Sequence, residues 1–261
     1  MRYGFIGLGN MSSAILRGMV SASQPFGELC GYNPTIAKAE KLRDECGLIV
    51  CGSNAEVVDA SDVVVVAVKP QMLEDALAGL ENRMQGKLLV SVVAGRSVEY
   101  FETRFPGCTV ARLAPNINAK IGASVTGVCF SKGISSAQRD VVFNIARSIG
   151  EAIETEERFI GIFGCIGGAA PAFTYLYLNA LADAALKEGM PKKMALQIAA
   201  ASAMGTAKMV LESGEHPCAL SDQVCSPGGT TIEGILMLRE LGFESAVHKA
   251  VAATIEKGKR L

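Results

Sequence analysis

The chain has 261 residues, 49% of them hydrophobic and 20% charged, with a formal net charge of −1 at pH 7. That length exceeds one ordinary domain, and the apolar share is ample for a buried core, which argues against disorder. There is no basic block, so nucleic acid and other polyanions gain no support as partners.

Tyr3–Ile6 is expected to be a strand, and Ser12–Ala22 a helix. Between them runs Gly7-Leu8-Gly9-Asn10-Met11-Ser12, which has the spacing G-x-G-x-x-G with Ser in the third place. The first glycine permits a tight turn and the second lets a pyrophosphate approach the backbone. The third place needs a small residue where helix meets strand. The helix start then offers free N–H groups and partial positive charge to phosphate. Gly7, Gly9, Asn10 and Met11 are therefore candidate dinucleotide contacts, although a ligand-free strand-to-helix turn has the same pattern.

Leu29–Tyr32 forms a second expected strand, followed by a helix over Thr35–Cys46. An NAD site commonly has Asp or Glu at the end of this strand to bind the ribose 2′-hydroxyl. Here the sequence is Tyr32-Asn33-Pro34-Thr35, with Lys38 one turn further on. No carboxylate stands there to repel a 2′-phosphate, and Asn33 and Thr35 can donate to it. NADPH is expected, with NADH as the alternative; a plain Asn33-Pro34 turn is the competing reading.

Leu48–Cys51 and Val63–Val68 are further expected strands. The second is apolar throughout, as suits a parallel strand buried on both faces. It ends in Ala67, Val68, Lys69 and Pro70 at the carboxyl edge, where open α/β sheets bind ligands. Lys69 is placed near the nicotinamide ribose or diphosphate, unless it is simply a solvated surface lysine. Leu88–Val93 closes on Ala94 and Gly95, small enough to lie beside a flat nicotinamide ring, and Thr109–Leu113 continues the alternation. The βαβα order implies an α/β, Rossmann-like N-terminal domain with a mostly parallel sheet.

Near Glu154–Arg158 the β-branched runs give way to stretches rich in Ala, Leu and Met. Phe173–Lys187 and Lys192–Glu212 are the clearest helices, with Pro191 suited to a first helical turn. The expected domains are residues 1–157 for the dinucleotide and 158–261 for an all-α dimerisation and substrate-binding part. So Ala-rich a segment, with so few aromatics, has trouble covering its own apolar surface, and burial against a second subunit is the usual remedy.

The eight cysteines include no C-x-x-C pair, and His216 and His248 lie far from any cysteine cluster. Zinc-ligand spacing is missing, so no metal is expected. A reducing cytoplasm is the simplest setting. Arg2–Ile6 reads as a strand from the start and leaves no room for a signal peptide, and the longest strongly apolar run, Val63–Val68, is too short to span a bilayer. The expectation is a soluble cytoplasmic protein with no membrane partner.

The chemistry is concentrated in Glu212-Ser213-Gly214-Glu215-His216-Pro217 and, further on, Ser226-Pro227-Gly228-Gly229-Thr230-Thr231. Ser226, Gly228, Gly229, Thr230 and Thr231 gather amides and hydroxyls at an expected helix start, which suits a small carboxylate. A capping turn alone needs only Ser or Thr and one Gly. No Ser-His-Asp set or carboxylate pair accompanies the loop. Hydride transfer to a cationic imine needs none, only a placed nicotinamide, a carboxylate anchor and a donor to nitrogen.

Ile6–Met11, Ala67-Val68-Lys69-Pro70-Gln71, Lys208–Pro217 and Ser226–Thr231 together resemble pyrroline-5-carboxylate reductase over essentially the whole chain. The last two segments are highly specific to that family. The resemblance implies reduction of 1-pyrroline-5-carboxylate to L-proline by NADPH, the final step of proline biosynthesis. It also implies a Rossmann domain followed by a helical domain that interlocks in a homodimer, with larger rings of dimers in some members. Ser226, Gly229 and Thr230 would hold the imino acid's carboxylate, Thr231 would hydrogen-bond the ring nitrogen as the catalytic group, and Asn54 would contact the cofactor ribose.

Three segments depart from the family pattern. Leu113-Ala114-Pro115-Asn116-Ile117-Asn118 replaces Met-Pro-Asn-Thr-Pro, Gly168-Ala169-Ala170-Pro171-Ala172 replaces Gly-Ser-Gly-Pro-Ala, and Asn179 replaces a glutamate. All three are expected near the active-site cleft. They leave open a reductase of a related cyclic imino acid, or a catalytically silent NADPH-binding regulator. A β-hydroxyacid dehydrogenase is disfavoured, because Tyr175 stands where that group has a lysine four residues before its asparagine.

Overall fold

The computed structural model describes residues 1–258. The chain divides into two compact units, Met1–Ala169 and Ala170–Glu256. The first unit begins β1 (Arg2–Ile6), α1 (Asn10–Ser21), β2 (Glu28–Tyr32), α2 (Ile36–Cys46), β3 (Ile49–Val50), α3 (Asn54–Asp59) and β4 (Val63–Val66). It continues with α4 (Leu73–Leu77), β5 (Leu88–Ser91), α5 (Val98–Arg104), β6 (Thr109–Ala114), β7 (Ser124–Phe130), α6 (Ser136–Arg147), β8 (Gly150–Glu154) and α7 (Glu157–Phe163).

The strands form one sheet in the order β3-β2-β1-β4-β5-β6-β7-β8. Every neighbouring pair is parallel except β6–β7, where Ala111 stands opposite Phe130 and Ala114 opposite Gly127. The alternation of side chains explains the all-apolar β4. Val63 and Val65 join Phe5, Leu88 and Val90 in one core, while Val64 and Val66 join Ile6, Leu89 and Val110 in the other. A strand buried on both faces tolerates no polar side chain on either.

β7, α6 and β8 are elements that the sequence reading did not anticipate. β8 lies at the sheet edge with a mostly exposed pattern, so its residues carry no apolar signature. β4 is also shorter than the expected Val63–Val68. It ends at Val66 because the chain turns toward Pro70, which opens a 3-10 turn over Pro70–Met72, and a proline cannot donate to a ladder.

The second unit comprises α8 (Ala170–Lys187), α9 (Lys192–Ser213), α10 (Pro217–Val224), α11 (Thr230–Glu240) and α12 (Phe243–Gly258). Pro191 is the N-cap of α9 rather than a residue of its first turn. Among the described residues, the buried side chains of this unit are Ala182, Ala195 and Ala199. Leu176, Met204, Leu211 and Leu241 are each more than 70% exposed, at 72%, 72%, 82% and 76%. So much bare apolar surface marks an interaction face.

Two helical segments, Glu157–Lys187 and Lys192–Ser213, are long and apolar enough to cross a membrane by length and composition alone. Both are longer than Val63–Val68, the run expected to be the longest apolar one, since alanine, glycine and leucine reach a high mean hydropathy without an unbroken β-branched run. A helix that buries itself against a second subunit meets the same test.

Candidate active site

β1 lies between β2 and β4, and the helix after β1 packs into one core whereas the helix after β4 packs into the other. A crevice opens at such a switch point, outside the carboxyl ends of the strands. Here it is a cleft of about 310 Å³ whose walls include Gly7 and Gly9 after β1, Asn33 and Thr35 after β2, and Ala67 and Lys69 after β4.

The glycine loop is built for close approach. Gly7 has φ +87°, and a Cβ there would stand 2.6 Å from Val68 Cγ1. Its amide donates to the Tyr32 carbonyl at 3.1 Å, and its carbonyl accepts from the fully buried Ser12 hydroxyl at 2.5 Å. Ser12 thus serves the third place of the glycine pattern by bonding as well as by being small. A Cβ on Gly9 would meet nothing within 4 Å, and Gly9 caps α1 without any side-chain hydrogen bond. The first amides of α1 are thus left for an external acceptor, as a pyrophosphate requires.

Asn33 is more committed than its position suggested. Its Oδ1 accepts from the Leu8 amide at 3.2 Å, and its Nδ2 donates to the Thr35 carbonyl at 3.2 Å. Both ends of this amide therefore brace the loops, which leaves Thr35 and Lys38 as the polar side chains at that end of the cleft. Asn54 lines the cleft too, and its Nδ2 donates to the Ala76 carbonyl at 3.0 Å. Met72, Asp75 and Ala76 complete the opposite wall; they arrive from α4 and the turn before it and carry no recognisable spacing. Among the described residues, neither Lys38 nor Lys69 forms an ion pair.

Asn10, Met11, Pro70, Ala94 and Gly95 do not line this cleft. Met11 packs against the core instead. Ala94 and Gly95 follow β5 in an exposed turn where Gly95 has φ +75°.

In the second unit, the loop before α11 is a tight turn. The Gly229 amide donates to the Ser226 carbonyl at 3.0 Å, Pro227 and Gly228 occupy the corners, and Gly228 has φ +69°. Proline first and a left-handed glycine second is the signature of a type II turn. A Cβ on Gly229 would lie 2.4 Å from Ser226 Oγ, so the second glycine is needed for space. Gly229 caps α11 without a side-chain bond. The amides of Thr230 and Thr231 thus open α11 with no side-chain cap, at a helix start where an anion is favoured.

The segment before it has a scaffolding role. Gly214, with φ +66°, ends α9 by donating to the Val210 carbonyl at 3.3 Å. His216 caps α10, its Nδ1 accepting from the Cys218 amide at 3.2 Å, and Gln223 donates to Glu215 at 2.7 Å. Asn179 is likewise structural. It donates to Asp183 at 2.8 Å and accepts from Lys192 at 2.8 Å, and Lys192 also pairs with Asp183. This clamp joins α8 to α9. Lys192 reaches Asn179 from another helix, beyond the reach of any local spacing rule.

Among the described residues, no group of three or more His, Cys, Asp and Glu side chains could hold a metal ion.

Comparison with known proteins agrees with both halves. Residues 157–261 match the family model described as pyrroline-5-carboxylate reductase dimerisation, and residues 2–95 match that described as NADP oxidoreductase, coenzyme F420-dependent. The chain is 37% identical to pyrroline-5-carboxylate reductase of Escherichia coli (strain K12), covering 100% of this chain and 98% of that one. It is 36% identical to the Methanosarcina acetivorans enzyme of the same name, over 100% of this chain and 97% of that one. The crystal structure of Plasmodium falciparum pyrroline carboxylate reductase with NADP bound superposes with a TM-score of 0.88 at 29% identity, covering 100% of this chain and 97% of that one.

Proposed function

Since this chain belongs to the pyrroline-5-carboxylate reductase family, we propose that its β1–β4 cleft holds the nicotinamide cofactor and its Ser226–Thr231 loop holds the imino acid. The chain is an NAD(P)H-dependent oxidoreductase that reduces the C=N bond of 1-pyrroline-5-carboxylate to give proline. It carries the family's dimerisation domain. The functional boundary is taken at residue 157, where α7 begins.

The observation that carries the site assignment is a pair of helix starts with no side-chain cap, one in each unit. α1 opens on Gly9 beside a cleft with room for a diphosphate, and α11 opens on Gly229 behind a turn that leaves its amides free. The bound dinucleotide supplies the hydride; the residues here bind and orient. Gly7 and Gly9 admit the diphosphate, Asn54 reaches the ribose, and Lys69 balances negative charge at the carboxyl edge of β4. Ser226, Gly229 and Thr230 anchor the substrate's carboxylate. The Thr231 hydroxyl bonds the ring nitrogen of the protonated imine, and hydride addition to the neighbouring carbon leaves that nitrogen as the neutral ring amine.

NADPH is preferred to NADH in this reading. No carboxylate ends β2, and Thr35 and Lys38 remain to meet a 2′-phosphate once Asn33 is spent on the loop. The setting is a reducing cytoplasm, which suits eight free thiols.

The test is steady-state oxidation of NADPH and of NADH with pyrroline-5-carboxylate and with its six-membered homologue. Turnover is expected with the five-membered ring and NADPH, at the highest specificity constant of the four combinations. Cofactor binding without turnover would support a silent regulator instead, and an equal or higher constant with NADH would remove the cofactor preference.

A further inference from the structure

α7 and α8 are parts of one 31-residue helical segment, Glu157–Lys187, interrupted by a π-helical turn over Gly164–Ala169. The division between the two compact units falls at Ala169/Ala170, immediately after that turn. π-turns are rare, and they are frequent at functional sites. Something must hold this one in place, because three of its six residues are glycine.

Asn116 does so from the turn after β6. It is 5% exposed, and its Nδ2 donates to the Gly167 carbonyl at 2.8 Å. Its Oδ1 accepts from the Asn118 amide at 3.0 Å, and its own amide donates to Ser124 Oγ at 3.1 Å. Ser124 Oγ in turn lies 3.2 Å from the buried Thr126 hydroxyl. Both ends of the side-chain amide are bonded, and a buried amide so bound has one orientation. The turn also packs flush on β7. A Cβ on Gly167 would come within 3.2 Å of Val125 Cγ1 and 3.3 Å of Phe163 Cε1. Two of the segments that depart from the family pattern thus meet here, one bonded to the residue just before the other.

We propose that Asn116 is a positioning residue for the reduction: by holding the Gly167 carbonyl it fixes the π-turn from which α8 departs, and so the register of the helix that links the two units. The inference rests on the assignment of cofactor to the first unit and substrate to the Ser226–Thr231 loop of the second. Hydride transfer needs donor and acceptor atoms at about 3–3.5 Å, and a displacement near 1 Å costs on the order of a hundredfold in rate. Asn116 does not line the cofactor cleft, so its effect falls on kcat and leaves NADPH binding alone.

Asn116→Asp tests this. The aspartate keeps an acceptor for the Asn118 amide but turns an acceptor on the Gly167 carbonyl. Amide hydrogen exchange over residues 164–170 should accelerate at least about tenfold. The kcat should fall about tenfold or more, while the KM for NADPH stays within about twofold of the parent enzyme. Unchanged exchange, faster exchange with unchanged kcat, or equal losses in kcat and NADPH affinity would each overturn the proposal. Should that variant not fold, Gly167→Ala keeps Asn116 and crowds the turn off β7; it must give the same split between kcat and KM, and an unaltered kcat there refutes the role. Failure of the substrate-loop assignment would look different, since Thr231→Ala would then leave kcat untouched whatever Asn116→Asp does.

Discussion

The Asn33 carboxamide oxygen accepts a hydrogen bond from the Leu8 amide at 3.2 Å. This contact ties the end of β2 to the glycine loop that follows β1, so one side chain braces both loops at the cleft. Asn33→Ala should loosen the loop for either cofactor. The KM values for NADPH and NADH are expected to rise together, by about five- to tenfold, the scale of one hydrogen bond of about 1 kcal/mol. Asn33→Asp keeps the acceptor for Leu8 and adds a charge beside Thr35 and Lys38. It should raise the KM for NADPH at least about tenfold more than that for NADH. Parallel kinetics with both cofactors would place the 2′-phosphate elsewhere.

Thr231→Ala removes the hydroxyl in the first turn of α11. The barrier for imine reduction should rise by about 1–3 kcal/mol, the range for a hydrogen bond to a charged group. The change is expected in kcat/KM for pyrroline-5-carboxylate, with NADPH affinity measured separately by fluorescence titration. Wild-type kinetics in the variant would exclude Thr231 from the chemistry.

The thiols should respond to pH in a set order. Burial raises Cys108 to about 12 and Cys129 to about 11. Cys108 also donates to the Lys87 carbonyl at 3.2 Å, whereas Cys218 is exposed. Only the thiolate attacks an alkylating reagent, so at pH 8 Cys218 should label first and Cys108 and Cys129 last, as peptide mass spectrometry would follow. The sign for stability is that of an acid held neutral in the fold. The stabilisation is complete below the unfolded thiol's value near 9 and is lost as pH rises through about 11 to 12. Alkaline denaturation should therefore begin above pH 9. Early labelling of Cys108 would show that β5 and β6 open more readily than their packing implies.

The bare apolar face of the second unit predicts a mutational route to dissociation. Leu176 and Met204 are each 72% exposed, on α8 and α9. Leu176→Glu and Met204→Glu should shift the sedimentation profile from dimer toward monomer at micromolar protein, because a carboxylate cannot be buried unpaired at an interface. Dimers that persist in both variants would place the interface on other helices.

Much of this protein could be read along the chain because the relevant physics is local. The alternation of β-branched runs and amphipathic stretches declares a parallel sheet, since a strand buried on both faces must be apolar at every position, as Val63–Val66 is. Gly7, Gly9 and Ser12 declare a tight strand-to-helix turn, and Pro227, Gly228 and Gly229 a tight turn before a helix, because few residues tolerate those backbones. Tertiary structure decided what depends on groups distant in sequence. It spent the Asn33 amide on Leu8, brought Lys192 to Asn179 across two helices, added Met72 and Asp75 to the cleft, and set Asn116 under the Gly167 carbonyl. It also made β7 antiparallel and left β8 at an edge, where solvent on one side erases the apolar pattern. Hydrogen bonds between distant segments have no period in the sequence, and only the folded chain can pair their donors with their acceptors.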